Sequence, residues 1–150
     1  MGRHVVSLGQ FGPLFHGSHE SGLGMIDHTQ ATKSFSSGMP GGHSYANFTT
    51  TDMSTAINYA RGNAEQAGPG HYPTVYEVES TNKRQENWEP DIHSGPGGYY
   101  DGPETKREAL DLAENGSEVS LRHLVPLRVK REVFHERKAK DITPHDRSFT

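Results

Sequence analysis

Among ten histidines in a chain of 150 residues, His16 stands in the setting best suited to chemistry. Pro13-Leu14-Phe15-His16-Gly17-Ser18 reads as a short apolar strand stopped by small residues, which predicts His16 at the strand mouth. An imidazole donates to a hydroxyl at neutral pH, and a glycine beside it, lacking Cβ, lets backbone approach a planar ligand closely. A different chemistry would be metal binding, because His16, His19 and Glu20 lie together and His28, His43, His71 and His93 fall in loop-rich stretches. The spacing disfavours it: His-x-x-His on a strand sends its side chains to opposite faces, and no second paired motif follows. With no cysteine in the chain, thiolate zinc sites and disulfides are excluded, and no metal is expected.

The elements that must position such a site are short. Seventeen glycines and nine prolines predict many turns and a loop-rich sheet fold rather than long helices. From Ser21 to Gly42 the chain is rich in Gly, Ser and Thr and reads as a surface excursion. Tyr45 to Thr50 is β-branched and aromatic, a strand that runs into a helix capped by Asp52, with Met53, Ala56, Ile57, Ala60 and Ala64 at helical spacing. Gly68-Pro69-Gly70 ends that helix, and Thr74 to Val78 is the clearest strand, the expected sheet centre. Trp88 to Gly102, dense in Gly, Pro and Tyr, reads as an inserted loop, followed by a short helix between Pro103 and Gly116. Val125, Leu127 and Val129 alternate with polar or proline positions as a half-buried strand does, and Val133 and Phe134 extend it.

Read in order, these segments resemble the ADP-ribosyltransferases of the rifamycin-modifying (Arr) type. Leu14-Phe15-His16-Gly17-Ser18 is similar to the family's His-Gly-Thr/Ser strand, and Asn47-Phe48-Thr49-Thr50-Thr51-Asp52-Met53 to its second strand and capped helix. Val75-Tyr76-Glu77-Val78-Glu79 is similar to the central strand, and Ser120-Leu121-Arg122 with Pro126-Leu127 to the Ser-x-Arg stretch before a late strand. The resemblance covers Leu14 to Val133, nearly the whole of a single expected domain over residues 1–150, with a core at about 13–134 and a polar tail at 138–150.

The resemblance implies an α+β fold with a split, mostly antiparallel sheet and short helices, and NAD⁺ as co-substrate. It gives His16 the ribose contact and Gly17 the grip on the nicotinamide carboxamide, with Ser18 and Tyr59 as further candidate cofactor contacts. The family's stacking aromatic, usually Tyr, falls on Phe48 when aligned through Thr49 and Asp52, a departure that keeps the ring and loses the hydroxyl; Tyr45 is the alternative. A carboxylate stabilises the cationic ribose left as nicotinamide departs, and Glu89 in Glu89-Pro90-Asp91 is the first candidate, then Asp91, Asp101 and Glu104. Trp88, Asp91, Tyr99 and Tyr100 are candidate acceptor contacts on the loop.

The implied activity is mono-ADP-ribosyl transfer to a small-molecule hydroxyl, a rifamycin first; the alternatives are a protein or nucleic-acid target, or a non-catalytic NAD⁺ or ADP-ribose binding module. A net charge of −4 gives no basic field for phosphate backbones, so nucleic acid is not an expected partner. With 31% hydrophobic residues, no apolar run at Met1 to Val6 and none near ~20 residues elsewhere, a soluble cytoplasmic protein without membrane contact is expected, as monomer or weak dimer.

Overall fold

A computed structural model describes residues 5–27, 47–84, 86–91 and 103–137. A 3₁₀ turn at Leu8–Phe11 leads into β1 (Leu14–Ser18), then β2 (Met25–Ile26), β3 (Asn47–Thr50), α1 (Met53–Ala67), β4 (Thr74–Ser80), β5 (Trp88–Pro90), α2 (Lys106–Glu114), β6 (Ser120–His123) and β7 (Leu127–His135). The seven strands form one sheet in the order β2-β7-β4-β1-β3-β6-β5, and their pairings are antiparallel. The class is α+β.

The helices form where local chemistry asks for them. Asp52 caps α1 by accepting from the Thr55 amide at 2.9 Å, satisfying an N–H that has no partner within the helix. Thr105 and Glu108 exchange bonds in a capping box at the start of α2, and Gly116, at φ 84°, follows its end. Ala109 and Leu110 are fully buried, which ties α2 into the main core rather than onto an appended loop.

Strand alternation sorts the two faces. Leu14, Tyr76, Val78, Leu121 and Trp88 join Leu110 and Leu127 in the larger core on one face. On the other, α1 lays Ala56 and Ala60 over Val75, with Phe15, Ile57 and Phe134 around them. Gly17 is the tightest point of that packing: a Cβ there would lie 2.8 Å from the Ala60 nitrogen and closer still to the Ala56 carbonyl oxygen.

Two expectations change. β4 lies between β7 and β1, so the middle strand is β1, and His16 sits mid-strand rather than at a mouth. The strand expected from Tyr45 is present over Asn47–Thr50, and Tyr45 lies outside the described residues. Trp88 belongs to an edge strand, not a loop, because Trp88–Pro90 pairs with β6, Trp88 opposite His123.

The join between β1 and β3 positions the site. β1 runs in register with β4 along its whole length, from Leu14 opposite Val78 to Ser18 opposite Thr74. It meets β3 at a single pair, Phe15 opposite Thr50. The sheet therefore divides there into a half of β2, β7, β4 and β1 and a half of β3, β6 and β5, hinged at one pair.

Candidate functional site

His16 projects from β1 into this seam, where its Nδ1 lies 2.7 Å from the Phe48 carbonyl oxygen of β3. A carbonyl only accepts, so Nδ1 carries the proton and donates. Burial, partly opposed by the Phe48 bond and reinforced by His19, holds the His16 imidazolium below the usual histidine range. The neutral ring then leaves Nε2 with a lone pair, and among the described residues none bonds it. His16 is thus set to accept from a hydroxyl, not to donate to one as its residue type alone suggests.

Phe48 shares its row with Arg122 and Glu89, opposite each other across β3, β6 and β5. Strands lie ~5 Å apart, so this row carries an aromatic, a guanidinium and a carboxylate across about 10 Å on one face. Glu89, 50% exposed, is held by Arg122 Nη1 in an ion pair. Asp91 follows on the same face, its amide donating to the Ser120 carbonyl at 3.0 Å. Asp91 and Glu118 both act on Tyr59 of α1, a half-exposed phenol whose pKa is raised by burial first and by these two carboxylates next.

No family model, curated protein or solved structure matches this chain.

The structure brings the His16 ring to the Phe48 backbone at the seam, with Gly17 next to it on β1, and puts the Phe48 ring with Glu89 and Asp91 on the face opposite to His16. Tyr45, Tyr99, Tyr100 and Asp101 lie outside the described residues. Glu104 is exposed just ahead of α2. Trp88 corrects an expectation: it is 3% exposed, edge-on to Phe11 at 5.4 Å with the Lys106 ammonium 4.5 Å from its ring centroid, a core residue rather than an acceptor platform. The glycine at 17 is demanded by the passage of α1, whatever else its backbone contacts. Its carbonyl lies 3.4 Å from the Asn63 amide nitrogen of that helix. Ser18 is buried and accepts from the Glu20 amide, so its hydroxyl serves the local turn.

The histidines after β1 form their own group. His19 lies 3.4 Å from Glu20 and its ring 5.1 Å from that of His71, and burial, against the pull of Glu20, lowers its pKa. Among the described residues no group of three His, Cys, Asp or Glu side chains is arranged to hold a metal ion, and no helix is long and apolar enough to cross a membrane.

Residues that sequence reasoning passed over line β6 and β3. His123 is completely buried, its Nε2 2.7 Å from Thr49 Oγ1 and its Nδ1 without a partner. Ser120 Oγ and Arg122 Nε are the other buried side-chain atoms left unpartnered among the described residues, so all three belong to β6. Ser120-Leu121-Arg122 carries a sequence signal, whereas nothing in the spacing separates His123 from nine other histidines.

Proposed function

We propose that the chain transfers ADP-ribose from NAD⁺ to a hydroxyl of a small molecule, with a rifamycin as the first acceptor to try. The observation that carries this reading is the seam: the His16 ring of one sequence motif reaches the backbone carbonyl of Phe48, in the second motif, at 2.7 Å, where the sheet opens. The same contact turns Nε2 into an acceptor suited to a ribose hydroxyl. NAD⁺ supplies the ribosyl carbon and nicotinamide as leaving group, the C–N bond breaking as a C–O bond to the acceptor forms and the hydroxyl proton passes to solvent.

The chain's own part is orientation and electrostatics. His16 fixes a hydroxyl through Nε2 on the Tyr76 face of the sheet, while Phe48 offers a ring face and Glu89 with Asp91 a negative field on the opposite face, so a ligand that meets both passes through the seam between β1 and β3. Arg122 offsets part of the Glu89 field, and Phe48 lacks the phenol hydroxyl. These two observations favour a second reading, a module that binds NAD⁺ or ADP-ribose without cleaving it.

Mass spectrometry of rifampicin incubated with the protein and NAD⁺ separates the two. Drug carrying an added ADP-ribose, with nicotinamide released and both lost in His16→Ala, is the expected result. Released nicotinamide with unmodified drug keeps the chemistry and moves the search to another acceptor. Bound, uncleaved NAD⁺ selects the binding module, and absence of binding overturns both readings.

A further inference from the structure

A histidine at position 123 is an expensive choice for this core. Its ring is fully buried, its Nδ1 has no partner among the described residues, and a buried polar atom left unpaired carries its full desolvation cost. A ring without nitrogens would avoid that cost. The one hydrogen bond the ring makes among the described residues, between Nε2 and Thr49 Oγ1 at 2.7 Å, is therefore what its polarity secures.

Thr49 is the residue after Phe48, so the Phe48 carbonyl belongs to the peptide that joins them. Threonine is stiff about χ1, and anchoring its hydroxyl fixes Cβ and with it the plane of that peptide. Across the seam the same carbonyl receives the His16 Nδ1–H at 2.7 Å. A continuous path thus runs from a buried ring on β6 through β3 to the imidazole on β1, at the place where β1 and β3 share only the Phe15/Thr50 pair. We infer that Thr49 and His123 are a positioning pair: they aim the Phe48 carbonyl across the seam, and this holds His16 in the Nδ1–H tautomer with Nε2 free to accept a ligand hydroxyl.

The pair touches no substrate in this scheme and acts only through His16. Its value for catalysis rests on the ADP-ribosyl-transfer reading, whereas its effect on the tautomer does not. The test therefore reads the tautomer first, in the full chain without NAD⁺, from imidazole ¹⁵N shifts and two-bond couplings at about pH 8.5, where a histidine is neutral. The His16 signals are assigned by their loss in His16→Gln. Wild type is expected to show Nδ1 protonated and Nε2 bare.

Thr49→Val keeps shape and removes the hydroxyl, and the Nε2–H form of His16 should appear at a level comparable to the Nδ1–H form. Thr49→Ser restores the hydroxyl and should restore the wild-type pattern, a rescue that a purely packing role of Thr49 does not give. Should Thr49→Val not fold, Thr49→Ser decides alone: an unchanged Nδ1–H tautomer supports the inference and a mixed one overturns it. An unchanged tautomer in a folded Thr49→Val also overturns it. Because the readout involves no NAD⁺, loss of the positioning role and loss of the transferase reading are separate results.

Discussion

Acid should unfold this protein through a histidine before its carboxylates. Burial first, and then the neighbouring His16, push the His123 imidazolium pKa down to about 3 from an ordinary 6.5. A folded pKa below the unfolded one means that the fold selects the neutral ring. The associated stability is whole above about pH 6.5 and drains away as pH falls toward about 3. Each unit below 6.5 costs about 1.4 kcal/mol, so by about pH 4.5 His123 alone removes about 3 kcal/mol. That is a large share of the ~5–15 kcal/mol of a typical domain.

The window above about pH 4.5 isolates histidine, because the low-pKa carboxylates release stability only further down. Glu77, held low by its bond to Arg131, and Asp52, held low by Ser54 and Thr55, lose theirs below the ordinary carboxylate range. The assay is urea unfolding at intervals from about pH 7.5 to about pH 4.5, for wild type and for His123→Gln, which keeps a polar partner for Thr49 and does not titrate. His16 and His19, also lowered, remain in the variant and supply its residual slope. Wild type should lose about 3 kcal/mol more than His123→Gln across this range. Parallel stability curves for the two proteins would refute the reasoning, since His123 would then titrate alike folded and unfolded.

Two further results are expected from the packing. Gly17→Ala drives a Cβ into the backbone of α1 at Ala56 and Ala60, where no flexible side chain can yield, and should cost about 1–3 kcal/mol, seen as a Tm lower by about 2–12 °C. Trp88 is the single tryptophan and lies in the core, so native emission should be blue-shifted, resist acrylamide and move red on unfolding, while Trp88→Ala should cost about 3–5 kcal/mol. Native emission typical of a solvent-exposed indole would put the residue back on a surface loop.

Much of the fold was legible in the sequence because it depends on neighbours along the chain. Asp52 and Ala56, Ala60 and Ala64 announced a capped, one-sided helix, and the alternation through Leu127 and Val129 announced a strand, since caps and periodicity act within a few residues. Glu89 was readable as a candidate carboxylate, but its partner Arg122 was not, because they are joined only by the pairing of β5 with β6. The same pairing turned Trp88 inward, which local composition, rich in Gly, Pro and Tyr just beyond it, did not suggest.

Local signals along the chain suffice for β1, β3, α1, β4, α2 and β7 and single out His16, Gly17 and Phe48 as residues worth watching. The short strands β2 and β5, expected within loops, and the part each site residue plays come from contacts between distant segments. Gly17 answers to a helix some forty residues later in the chain, and the His16 proton is placed by a carbonyl thirty-two residues away. His123 becomes a neutral, buried ring bound to Thr49 only once β6 lies beside β3. Close approach and desolvation arise between segments distant in sequence, and spacing along a chain carries no measure of either.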